Sequence, residues 1–87
     1  MENKKLIQMR KKINRIDGKL MMLLERRAEI VKAIGKIKFE ENLPILNKAR
    51  EEEILESVKS FSNHWFISEI FIKIFDESRK IQEKKWK

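Results

Sequence analysis

The chain has no cysteine and no tyrosine, and only one proline, two glycines and one histidine among its 87 residues. Without cysteine there is no disulfide to staple a small fold, and that absence fits a reducing compartment. Scarce glycine and proline, with 40% of residues charged, exclude a turn-rich β architecture and point to an all-α protein. There is no Cys/His cluster, no acidic metal box, no glycine-rich phosphate loop and no Ser/His/Asp set, so no metal or cofactor is expected. His64 falls beside a predicted turn and reads as a surface or capping residue. Trp65 and Trp86 read as packing residues near helix ends. No apolar run is long enough for a signal peptide or a membrane span. The expectation is a cytoplasmic protein that does not enter a membrane.

The formal charge is +7, which permits binding to nucleic acid or another polyanion. The cations are interleaved with 14 acids and form no single block, apart from the tail Lys84, Lys85 and Lys87, which reads as a solvated end. A basic helical dimer on nucleic acid is therefore the alternative of a different class, and nucleic acid is not the expected partner.

In the first forty residues Leu6, Met9, Ile13, Ile16, Leu20, Leu23, Leu24, Ile30, Val31, Ile34 and Ile37 recur in steps of three and four. That spacing predicts one amphipathic helix from about Asn3 to about Phe39. Gly18 and Gly35 weaken it by about 1 kcal/mol each without interrupting the stripe. Such a helix is about 55 Å long, whereas a compact chain of this size has a radius of gyration of about 12 Å. The rest of the chain cannot cover it, so a second copy is expected, and a homodimer follows. Pro44 marks the first turn. Asn47 is a suitable N-cap for a second helix from about Lys48 to about Lys59, with Ile54, Leu55 and Val58 inside. Ser60 to Asn63 form a second turn. A third helix is expected from about His64 to about Lys84, with Ile67, Ile70, Phe71, Ile74, Phe75 and Ile81 inside.

Polar residues lie on these apolar stripes. Arg10, Arg27 and Lys38 continue that of the first helix, Arg50 and Glu51 open the second, and Ser78 and Gln82 follow Ile74 by four and eight. Each has an ordinary explanation: an arginine that reaches water from a helix edge, a first-turn acid facing the helix dipole, a serine bonded back to a carbonyl. Together they pose a stronger constraint. Unpartnered charge facing a core costs several kcal/mol. Four cations, a carboxylate, a hydroxyl and an amide suit a small dianion that carries a hydroxyl group.

With those residues in hand, the chain resembles the all-α chorismate mutases from about Leu6 to Gln82. The resemblance rests on Arg10, on Ile-Asp-x-Lys-Leu-x-x-Leu-Leu-x-x-Arg at 16–27 and on Gly-Lys-x-Lys at 35–38. It continues with Pro44, Asn47, Arg50 and Glu51 in order, and ends on Ser78-x-x-x-Gln82. Asn47 stands where some relatives carry Asp. The resemblance implies three helices with a very long first helix, in an intertwined homodimer whose sites each borrow Arg10 from the other subunit. It also implies conversion of chorismate to prephenate, towards phenylalanine and tyrosine, without metal or cofactor. In that scheme Lys38 and Gln82 donate to the ether oxygen and Glu51 accepts from the ring hydroxyl. Arg10, Arg27 and Ser78 meet the carboxylates, and Arg50 orders Glu51 or reaches the substrate. Isochorismate–pyruvate lyase shares the fold and the cationic pocket, but resembles the pattern without the acid found here as Glu51.

Overall fold

A computed structural model describes residues 3–86, with side chains as far as Glu83. Its three helices are α1 (Lys4–Glu40), α2 (Lys48–Val58) and α3 (His64–Trp86). There is no strand among the described residues. The all-α expectation holds, with helix bounds within one or two residues of those read from the sequence; the side chains of Lys84, Lys85, Trp86 and Lys87 lie outside the description.

Each end of α1 has a local cause. The Asn3 side chain accepts from the backbone N–H groups of Lys5 (2.8 Å) and Leu6 (3.3 Å), satisfying donors that a helix start leaves unpaired. At the other end Asn42 takes the left-handed conformation (φ 56°). Leu43 N–H then reaches the Lys38 carbonyl (2.8 Å) and Asn42 N–H the Phe39 carbonyl (3.4 Å), the paired reverse bonds of a Schellman motif. Asn is the residue best able to stand in for glycine there. Pro44 follows and prevents renewed helix. Gly18 lies within α1 with nothing within 4 Å of a Cβ placed on it, so the helix passes through it as expected.

The Asn47 side chain caps α2 by accepting from Arg50 N–H (3.1 Å). In the turn after α2, the Asn63 carbonyl accepts from Phe66 and Ile67 N–H at 3.1 Å each, starting α3. α3 packs along α1 on one side and against α2 on the other, while α1 and α2 make no close backbone approach to each other. The molecule is 57 Å long with a radius of gyration of 16.9 Å, well beyond the roughly 12 Å of a compact chain this size.

The buried interior is small and lies where α3 meets its neighbours: Val31, Val58 and Phe75, together with Gly35 and two polar residues, Ser78 and Gln82. Of the residues expected inside, Ile54, Leu55, Ile67, Phe71, Ile74 and Ile81 are half-buried. Ile70 on α3 and Ile30, Ile34 and Ile37 on α1 are exposed. Periodicity identified their faces correctly, but one chain does not cover those faces. Among the described residues no helix is long and apolar enough to cross a membrane.

Candidate functional site

A cleft of about 350 Å³ opens where the C-terminal half of α1, the start of α2 and the C-terminal half of α3 converge. Arg27, Lys38, Asn47, Arg50, Glu51, Ser78 and Gln82 all line it. Its walls therefore come from three segments far apart in sequence, from Arg27 on α1 to Gln82 on α3. Val31, Ile34, Ile54 and Phe75 supply the apolar surface between the polar groups.

The polar side chains hold one another in a definite arrangement. Arg27 Nη1 donates to Ser78 Oγ at 2.5 Å, and Ser78 Oγ donates to the Ile74 carbonyl at 2.6 Å. The serine does bond back to its own helix, and with its other capacity it holds the guanidinium. Lys38 Nζ donates to the Ile45 carbonyl at 2.6 Å, which ties the last turn of α1 to the loop before α2. An ammonium has three donors, so two remain. Gln82 is 8% exposed. Its Nε2 donates to the Ser78 carbonyl at 3.3 Å, and its Oε1 is buried with no hydrogen-bond partner. A buried orphan acceptor costs about 1–3 kcal/mol.

Two assignments need correction or addition. Arg50 does not order Glu51: its guanidinium pairs with Glu53 at 2.9 Å in an exposed i,i+3 contact. Local geometry along one helix face wins over the adjacent residue, which points elsewhere. Glu51 is held instead by Arg79, whose Nη1 donates to Glu51 Oε2 across the α2–α3 contact. Arg79 lines the cleft and was missed in the sequence. The available signal was its place beside Ser78 and three before Gln82, on the face of α3 that must meet the first turn of α2.

Arg10 is exposed near the start of α1 and does not line this cleft. It precedes Arg27 by 17 residues, which is about 25 Å along a helix, beyond the reach of an arginine side chain.

A second cleft, larger at about 560 Å³, lies across the Arg27–Ser78 contact and is walled by Leu24, Trp65, Phe66, Ile70 and Ile74. It is the bigger cavity, and its exposed wall is mostly apolar although Arg27, Glu69, Lys73, Glu77 and Ser78 also line it. Trp65 is 66% exposed, so within one chain it does not pack as its type suggested. At the border of that cleft, hydrogen bonds from Lys80 and then Lys73 hold the Glu77 carboxyl below its usual pKa. The Lys80 ammonium is raised, chiefly by its bond to Glu77. Both groups are fully exposed, so these are surface pairs of small energetic weight.

Comparison with known proteins bears on this site. The family described as "Chorismate mutase type II" matches residues 9–83. A chorismate mutase of Methanocaldococcus jannaschii is 35% identical over 72 residues, covering 82% of this chain and 73% of that protein. A bifunctional chorismate mutase/prephenate dehydratase of Aquifex aeolicus is 47% identical over 53 residues, which are 61% of this chain but only 15% of that longer protein. Among solved structures, a conserved hypothetical protein from Pyrococcus furiosus superposes with a TM-score of 0.83 at 43% identity, covering 94% of this chain and 100% of that one.

Proposed function

Because the chain belongs to the chorismate mutase type II family, we propose that it rearranges chorismate to prephenate in the cleft where the three helices converge. The observation that carries this reading is the meeting of Arg27, Lys38, Glu51, Ser78 and Gln82 around one cleft of about 350 Å³.

The reaction is an intramolecular exchange of a C–O bond for a C–C bond, so neither a nucleophile nor a proton shuttle is needed. The protein must fold a flexible dicarboxylate so that its reacting ends touch, and must stabilise negative charge growing on the ether oxygen. Arg27 suits the first task. Ser78 fixes one arm of its guanidinium, leaving donors in the same plane for a carboxylate. Ser78 acts here mainly through Arg27, since its own proton is committed to Ile74. Lys38 and Gln82 suit the second task. Each spends one donor on a backbone carbonyl and keeps at least one for the ether oxygen. Glu51 is the one carboxylate among the residues lining the cleft, and so the natural acceptor for the ring hydroxyl. Asn47 contributes as the cap that sets the start of α2. Arg50 lies at the rim, where it can exchange Glu53 for substrate.

The remaining carboxylate needs a second guanidinium besides Arg27, and the other arginines of the cleft, Arg50 and Arg79, are paired with Glu53 and Glu51. We read the protein as a cytoplasmic homodimer in which Arg10 of the partner subunit fills that place. The exposed apolar residues of α1 and the 560 Å³ apolar cleft support a second copy as the covering surface. The test is direct: chorismate loss followed by ultraviolet absorbance, with the product identified as prephenate. Turnover without added metal or cofactor is the expected result. An intact chain that leaves chorismate unchanged, or that releases pyruvate from isochorismate instead, rejects the reading.

A further inference from the structure

We propose that Arg79 is a positioning residue of this site: it fixes the Glu51 carboxylate as the acceptor for the ring hydroxyl, and so sets the preference for a hydroxylated ring. The inference rests on the mutase reading and deepens it, since the Ser78-x-x-x-Gln82 pattern leaves position 79 open.

The cleft is dominated by donors. Arg27, Lys38, Arg50, Arg79 and the Gln82 amide all offer N–H groups, and Glu51 alone among the lining residues offers a carboxylate. A substrate hydroxyl that enters as a donor depends on that one group. The backbone of Glu51 is held in the first turn of α2, its N–H on the Asn47 carbonyl at 3.1 Å. Its side chain has several free torsions, and the adjacent Arg50 turns away to Glu53. The restraint comes from the facing helix: Arg79 Nη1 donates to Glu51 Oε2. The arginine is steadied in turn by Asp76, whose Oδ1 lies 3.8 Å from Nη2. The side chains of the Arg79–Glu51 pair are 32% and 25% exposed, against 60% and 71% for Arg50–Glu53. Partial exclusion of water strengthens the first pair relative to the second. Arg79 engages Oε2, which leaves Oε1 as the acceptor available to a hydroxyl. A carboxylate held this way accepts a hydroxyl at one place and leaves an unmet acceptor when the hydroxyl is missing, which is how polar sites discriminate.

The experiment measures kcat and KM for chorismate, and the inhibition constant of the same ring without its hydroxyl, in wild type, Arg79→Ala, Arg79→Lys, Glu51→Ala and the Arg79→Ala/Glu51→Ala double variant. Arg79→Ala is expected to raise KM for chorismate about tenfold with little change in kcat, because the hydroxyl contact is present in ground and transition states alike. The inhibition constant of the deoxy ring should stay within about twofold, the double variant should bind no worse than Glu51→Ala, and Lys should fall between Arg and Ala. Equal losses for both ligands, or additive losses in the double variant, would make Arg79 a tie between helices and overturn the assignment. Should Arg79→Ala not fold, the hydroxyl preference of Arg79→Lys decides instead, and an unchanged preference overturns it. A wild-type chain without activity on chorismate overturns the mutase reading and this assignment together. An active wild type with an unshifted preference overturns this assignment alone.

Discussion

The two halves of α1 are made of similar residues and have opposite surroundings. From Asn3 to Arg26 every side chain is exposed, including Ile16 at 63%, Met21 at 67% and Met22 at 61%. From Arg27 onward the same helix packs on α3, buries Val31 and Gly35, and presents Arg27 and Lys38 to the cleft. Both halves carry an apolar stripe with a cation on it, Arg10 in one and Arg27 in the other. The difference is that only one half has a partner within the chain. An exposed apolar face this long exceeds what monomeric proteins ordinarily present. The proposed dimer follows from that contrast together with the position of Arg10.

The contrast can be broken most severely at Ile13. An Ile13→Asp substitution puts an unpaired charge in the middle of the bare half, at a cost of several kcal/mol if that half is an interface. Loss of dimer in sedimentation equilibrium at micromolar concentration is expected, with activity down by at least about a hundredfold. Lys11→Glu, on the opposite face, should change neither. A stable folded monomer of the wild-type chain would remove the basis of this prediction.

The halves can next be tested against each other. Arg10→Ala and Arg27→Ala should each be nearly inactive alone. After subunit exchange, half of the dimers are heterodimers with one intact site, so about a quarter of wild-type activity should return. Verified exchange with no recovery rejects a site shared between subunits.

A smaller effect is expected within the packed half. Gln82→Glu places a carboxyl group where an amide donates at every ordinary pH. Protonated, it still donates; ionised, it faces the developing charge on the ether oxygen. The variant should therefore lose activity as pH rises through the pKa of the new glutamate, with kcat down roughly a hundredfold at pH 8. Wild-type rates at pH 8 would remove Gln82 from contact with the reacting oxygen.

The mildest change concerns the cap that sets the cleft's third wall. Asn47→Ala removes the acceptor of Arg50 N–H and should lower stability by about 1 kcal/mol, read as a shift in chemical denaturation midpoint. An unchanged midpoint would mean that another group satisfies that N–H.

Much of this was legible in the sequence because it is periodic or local. The stripe located α1, Pro44 and Asn47 located the turn and the cap, and the spacing of Ser78 and Gln82 placed both on one face of α3. Two things were not legible, for a physical reason. Whether an apolar face is covered depends on what packs against it, so Ile70 read as interior although one chain leaves it exposed. Which cation holds Glu51 depends on the rotation of α3 against α2, so the neighbour in sequence, Arg50, was the natural choice and Arg79, 28 residues away, holds it.

The arrangement in which α3 touches both other helices while α1 and α2 do not approach each other has a consequence for the order of events during synthesis. α3 is the last of the three to leave the ribosome. Until it emerges, Val31 and Val58 have no Phe75 region to pack against, and α1 lacks the tertiary packing from which most helical stability in proteins comes. Translation at about 5–20 residues per second therefore leaves the nascent chain for seconds as tethered helical segments without tertiary structure. The fold forms in a single late step, when the segment bearing Ser78 and Gln82 docks between two elements that had nothing to hold.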